Sequence, residues 1–141
     1  MRSGHLGGAV LRRGGGIVML CALALAATLT SVHMPDRGFN QRNPGVGVEC
    51  DARDWAVATG EYRNSYSRTT VYAIGAWLPL HVAGWSVGPA LGPATGYDLP
   101  WMGGLLARWR GAGPLGANLI LAPPADKQGS AMLGLQLTWR L

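Results

Sequence analysis

Ala131-Met132-Leu133-Gly134-Leu135-Gln136-Leu137-Thr138-Trp139-Arg140-Leu141 alternates without a break. Its odd positions are all apolar, whereas its even positions, Met132, Gly134, Gln136, Thr138 and Arg140, are mostly polar or small. Successive side chains of a strand point to opposite faces, so this stretch is a strand with one apolar and one polar face. Its eleven residues suit a strand crossing a bilayer at a tilt. In a soluble sandwich such a length would be unusual.

Working back from it, turn signals recur every 8 to 15 residues, and no stretch keeps a 3.6-residue apolar period. The spacing predicts strands over Thr28 to His33, Gly45 to Asp51, Trp55 to Arg63, Thr69 to Leu78, Trp85 to Thr95, Trp101 to Arg110, Leu115 to Ala122 and Ala131 to Leu141. Eight is the strand number of the smallest membrane barrels. The expected fold is therefore all-β, an eight-stranded antiparallel up-and-down transmembrane β-barrel. If the first strand runs outward, the inward turns Ala52 to Asp54, Pro79 to Gly84 and Gly111 to Pro114 are on average the shorter ones, as such barrels require. The same topology gathers Trp55, Trp77, Trp85, Trp109 and Trp139 at inner strand ends and Phe39, Tyr62, Tyr66, Tyr97 and Trp101 at outer ends. Two aromatic girdles result. A soluble lipocalin-like barrel is disfavoured by the apolar outer face of the last strand.

Composition agrees: of 141 residues 48% are hydrophobic and only 13% charged, with 22 glycines. Six tryptophans and many aliphatic residues argue against disorder, and glycine lacks the period of three that collagen needs. Arg2, Arg12 and Arg13 precede the apolar run Ile17 to Ala27, and Ala24-Leu25-Ala26 offers a small-x-small cleavage site. Residues 1–26 are thus expected to be a cleaved signal peptide, and 27–141 the barrel, in the outer membrane of a Gram-negative bacterium. Cleavage removes three of 12 basic residues, leaving nine against seven acidic ones, so the net charge falls from +5 to +2. Lys127 is the single lysine and no basic patch stands out, so nucleic acid is not an expected partner. Loss of Cys21 with the leader would leave Cys50 without an intrachain partner, and neither a thiolate metal site nor any cofactor is expected.

The glycines at 47, 60, 75, 88, 103, 104, 116 and 134 fall inside strands, where they weaken packing unless a bulge, a bend or a ligand needs the room. The sequence contains no P-loop and no HExxH. His33 and Ser65, with Asn64 beside the serine, form the one candidate constellation: an imidazole can take the hydroxyl proton, and a third polar group can fix its tautomer. The plain alternative is a serine in an Asn-Ser turn and a histidine at a strand end. His81 reads as an inner turn residue and His5 lies in the leader.

Phe39-Asn40-Gln41-Arg42-Asn43-Pro44-Gly45-Val46-Gly47-Val48 resembles the aromatic-Asn-Glu-Arg segment and glycine-rich second strand of the lipid A palmitoyltransferase (PagP) family. Trp55 to Leu78 is similar to that family's third and fourth strands around an Asp-Ser pair, and Ala122-Pro123 to its Ile-Pro strand end. The resemblance covers residues 28 to 141 loosely. It implies an outer-membrane barrel that moves a palmitoyl chain from a phospholipid to lipid A. It places the family's catalytic histidine on His33 and its serine on Ser65, while the family's aspartate falls on Asn64. An amide can orient an imidazole but cannot stabilise the imidazolium by charge. The first outward loop is also shorter than in that family, and its amphipathic helix before the first strand has no counterpart. Pro44 and Pro123 either flank gaps for sideways lipid passage, as similar prolines do in that family, or simply end strands. The partners implied are phospholipid and lipid A, handled by a monomer. The competing reading is a non-enzymatic structural or ligand-binding outer-membrane barrel.

Overall fold

The computed structural model describes residues 21–124 and 129–141. Among these there are nine strands and no helix: β1 Ala22–Met34, β2 Arg42–Asp51, β3 Trp55–Arg63, β4 Thr69–Trp77, β5 Leu80–Val82, β6 Trp85–Pro93, β7 Trp101–Arg110, β8 Leu115–Ala122 and β9 Ala131–Arg140. Sequence neighbours pair antiparallel except β4 and β5, β1 also pairs with β9, and β4 reaches past β5 to β6 at Gly75↔Leu91 and Ala76↔Ala90. Eight strands thereby close into a barrel. The extra strand β5 lies on β6 in the segment expected to be only a turn: after Pro79 the chain doubles back through Ala83 and Gly84, both at positive φ, as a two-residue hairpin.

The alternation of β9 is realised as read. Gly134, Gln136 and Thr138 are buried, whereas Leu133, Leu137 and Trp139 are exposed. The whole barrel repeats this inversion: Val46, Val48, Val57, Val71, Leu91 and Leu105 are all exposed, while Ser31, Glu49, Thr70, Arg108 and Asn118 are buried. The large aliphatic side chains of the strands thus lie on the outside of the barrel and the polar ones inside.

One expectation needs correction. The first strand begins at Ala22, not Thr28, because the apolar run alternates too, with Leu23 and Leu25 outward and Ala24 and Ala26 buried. The expected leader boundary after Ala26 falls inside this strand, so a chain starting at Ala27 would lack its first five rungs; residues 1–20 lie outside the described part. Nor is Cys50 alone. Leu23 stands opposite Cys50, which brings Cys21 into a disulfide with it at a Cα separation of 5.3 Å.

A bulge sets the site. Thr28 pairs with Gln136 but Thr30 with Leu135, leaving Leu29 without an opposite number. The extra residue reverses the alternation, so Ser31 and His33 turn inward in place of Thr30 and Val32. Two strand glycines leave room for a side chain: Gly47 faces Gly60 across the ladder, and a Cβ on either would stand within 2.8 Å of the Tyr72 hydroxyl.

Candidate functional site

His33 ends β1 on the inner face, 6% exposed, and its Nε2 lies 2.8 Å from Ser65 Oγ. The two are 32 residues apart and meet because the loop after β1 is stitched onto the loop after β3. Asn40 N–H donates to the Ser65 carbonyl at 2.9 Å, and Asn43 Nδ2 donates to the Arg63 carbonyl at 2.9 Å. Ser31 Oγ donates to Asn43 Oδ1 at 2.6 Å, which fixes Asn43 beneath the loop. Phe39 lies on the imidazole with ring centroids 4.8 Å apart, and Tyr66 meets Phe39 edge-on at 5.6 Å. The segment around Asn40-Gln41-Arg42-Asn43 is therefore structural support for the His33–Ser65 pair.

Asn64 does something else. Its Oδ1 accepts from Tyr66 N at 2.9 Å and Arg68 N at 3.0 Å; its Nδ2 donates to Thr70 Oγ1 at 3.1 Å and the Gly96 carbonyl at 2.9 Å. The side chain is wholly buried and fully bonded, so it shapes the turn that presents Ser65 and makes no hydrogen bond to His33. His33 Nδ1 is buried with no hydrogen-bond partner among the described residues. Chemically this is a serine–histidine dyad: Nε2 can accept the Ser65 proton, but no carboxylate holds the other side of the ring.

Below the dyad, the bore holds a cavity of about 100 Å³. Ser65, Asn43, Tyr62 and Tyr97 line it toward the mouth, and Ile74, Met102, Leu106, Ile120 and Met132 supply apolar walls. The Tyr62 and Tyr97 hydroxyls are 2.7 Å apart. Burial pushes the Tyr97 phenol up from its ordinary range, while its hydrogen bonds with Tyr62 and Thr70 pull the other way, and Tyr66 adds a small push upward.

The floor is polar. Gln136 Nε2 donates to Thr28 Oγ1 at 2.9 Å and Asn118 Nδ2 to Gln136 Oε1 at 3.2 Å; Asn118 also bonds Glu49. Deeper still, Arg110 bridges Glu49 at 2.8 Å and Asp51 at 2.7 Å, and Arg108 pairs with Asp51 at 2.9 Å. Sequence reasoning missed this cluster, although Glu49/Asp51 and Arg108/Arg110 sit two apart on single strands, the spacing that puts charges on one face.

Among the described residues no group of three or more His, Cys, Asp or Glu side chains could hold a metal ion. Pro44 sits where the β1–β2 ladder breaks between Thr28↔Gly45 and Thr30↔Arg42, and Pro123 directly follows β8. No protein-family model matches the chain, and a search of curated proteins returned no match.

Proposed function

We propose that this barrel sits in the outer membrane and handles lipid acyl chains, with Ser65 and His33 acting at its outer rim in the manner of the lipid A palmitoyltransferase family it resembles. The observation that carries the reading is the 2.8 Å contact between Ser65 Oγ and His33 Nε2 at the mouth of an apolar cavity inside a barrel with an apolar exterior. In such a reaction Ser65 or an acceptor hydroxyl passes its proton to His33 Nε2 as its oxygen bonds to the acyl carbonyl carbon; the phospholipid ester C–O bond breaks, the lysophospholipid leaves with that proton, and the acyl chain stays on the attacking oxygen. The test is acyl transfer from labelled phospholipid to lipid A by detergent-refolded protein, with Ser65→Ala as control. Transfer lost in the variant supports the reading; transfer unchanged in the variant removes Ser65 from it.

A second reading is favoured by a specific feature. With Asn64 committed to its turn and His33 Nδ1 lacking an acid, the barrel fits a non-enzymatic lipid-binding protein that keeps the scaffold. A folded barrel that retains labelled lipid yet transfers none would select it.

A further inference from the structure

At the opposite end of the barrel the acid missing from the His33 site is present. His81 of β5 stands directly across from Ser86 of β6, its Nδ1 3.0 Å from Ser86 Oγ. Its Nε2 lies 2.7 Å from Asp54 Oδ1, in the turn between β2 and β3. The hydrogen bond from Leu78 N to the Asp54 carbonyl, at 2.7 Å, ties that turn to the chain approaching β5, and Arg53 Nε comes within 3.9 Å of the same carboxylate.

The arrangement fixes the tautomer. A carboxylate only accepts, so Nε2 carries the ring proton toward Asp54, and Nδ1 is left with the lone pair that faces the Ser86 hydroxyl. This is the relay needed to activate a serine.

A positive donor stands beside it. Arg108 is the cross-strand partner of Ser86, so the two Cβ atoms are about 5 Å apart on the same face. Its guanidinium reaches Asp51 Oδ1 and the carbonyls of Ala52 and Arg53 just before Asp54, while its Nε is buried with no partner among the described residues. Arg108 thereby ties β7 to the turn that carries Asp54. Asp54 and His81 stay open to solvent, with 48% and 35% of their side chains exposed.

We propose that Ser86, His81 and Asp54 form a second, independent activated-serine site at this rim, acting on carboxylic esters of amphiphiles. Trp55 and Trp77, packed at 6.4 Å at the same end, are side chains that favour a membrane–water interface, so the choice of amphiphile esters rests on the outer-membrane reading proposed above. Ser86 Oγ bonds to the ester carbonyl carbon and passes its proton to His81 Nδ1. The ester C–O bond breaks and the alcohol leaves with that proton. Water, deprotonated by the same imidazole, then releases the carboxylic acid and restores Ser86.

The test uses full-length Ser65→Ala protein, folded in detergent and treated with a fluorophosphonate, with the adduct mapped by mass spectrometry. Ser86 is expected to carry the adduct, and His81→Gln in the same background to slow labelling at least tenfold. An unlabelled Ser86 in the folded Ser65→Ala protein, or an equal rate with His81→Gln, overturns the proposal. The outcome is separate from that at Ser65, because residue 65 carries no hydroxyl in this background.

Discussion

Arg110 donates to Glu49 across the bore at 2.8 Å, joining β7 to β2, strands that are not neighbours in the sheet. The same guanidinium holds Asp51, which Arg108 also pairs, so Arg110 is the arginine that compensates the buried Glu49. Removing one partner of a buried ion pair strands the other charge, and Arg110→Ala should cost roughly 3–5 kcal/mol. Urea unfolding of the refolded barrel would measure this. A loss below about 1 kcal/mol, the worth of an exposed pair, would mean that water reaches the cluster.

The exterior makes a separate prediction. Leu137 points outward from β9, 39% exposed, between Ala27 of β1 and Ala117 of β8. If lipid surrounds it, Leu137→Arg should cost roughly 2–4 kcal/mol near the bilayer midplane. Folding into vesicles, followed by heat-modifiable gel mobility, should then fail or slow. Normal insertion of the variant would argue for a barrel bathed in water.

Two glycines should behave in opposite ways. A Cβ at Gly47 would meet the Thr59 carbonyl and the Tyr72 hydroxyl, both at 2.7 Å, whereas one at Gly75 would meet nothing within 4 Å. Gly47→Ala should therefore destabilise by about 1–3 kcal/mol through overpacking. Gly75→Ala should be neutral or mildly stabilising by stiffening the unfolded chain. Equal unfolding midpoints for the two variants would contradict this packing.

The disulfide bears on where the mature chain begins. Cys21 and Cys50 close a loop of 29 residues, worth about 3–4 kcal/mol by chain entropy. Cleavage near Ala27 would discard that bond and the rungs from Ala22 to Ala26. The expected outcome is a mature chain that retains Cys21, two hydrogens lighter by intact mass than its reduced form. A chain starting at Ala27 with a free Cys50 thiol would mean that the barrel tolerates a shortened first strand.

Much of the architecture could be read from period two. Trp55–Arg63, Trp101–Arg110 and Leu115–Ala122 have the boundaries expected, because Gly, Pro, Asn or Asp punctuates both ends. β1 was obscured because Ala22 to Ala27 is apolar on both faces: its inward residues are alanines, so the strand reads like the core of a leader. The bulge at Leu29 has no signal in residue type, yet it decides that His33 faces the bore. Of the candidate site, proximity of His33 to Ser65 followed from strand ends sharing one rim. The commitment of Asn64 to the Thr70 and Gly96 side did not, since it depends on how the third outer loop lies over the second.

That placement of Asn64 yields a sharp test of the outer site. Asn64→Asp keeps the two bonds that Oδ1 accepts but loses both donors, and turns a buried carboxylate toward the Gly96 carbonyl. The loss of hydrogen bonds alone should cost about 1–3 kcal/mol. The new carboxylate would reach His33 no better than the amide does, so transfer should not rise, whereas Ser65→Ala should abolish it while leaving the fold intact. Measuring unfolding midpoint and acyl transfer on both variants separates the roles: a stable Asn64→Asp protein with raised transfer would show that residue 64 can turn to His33 and supply the missing acid. An unstable protein with no gain would identify Asn64 as the residue that builds the turn under Ser65.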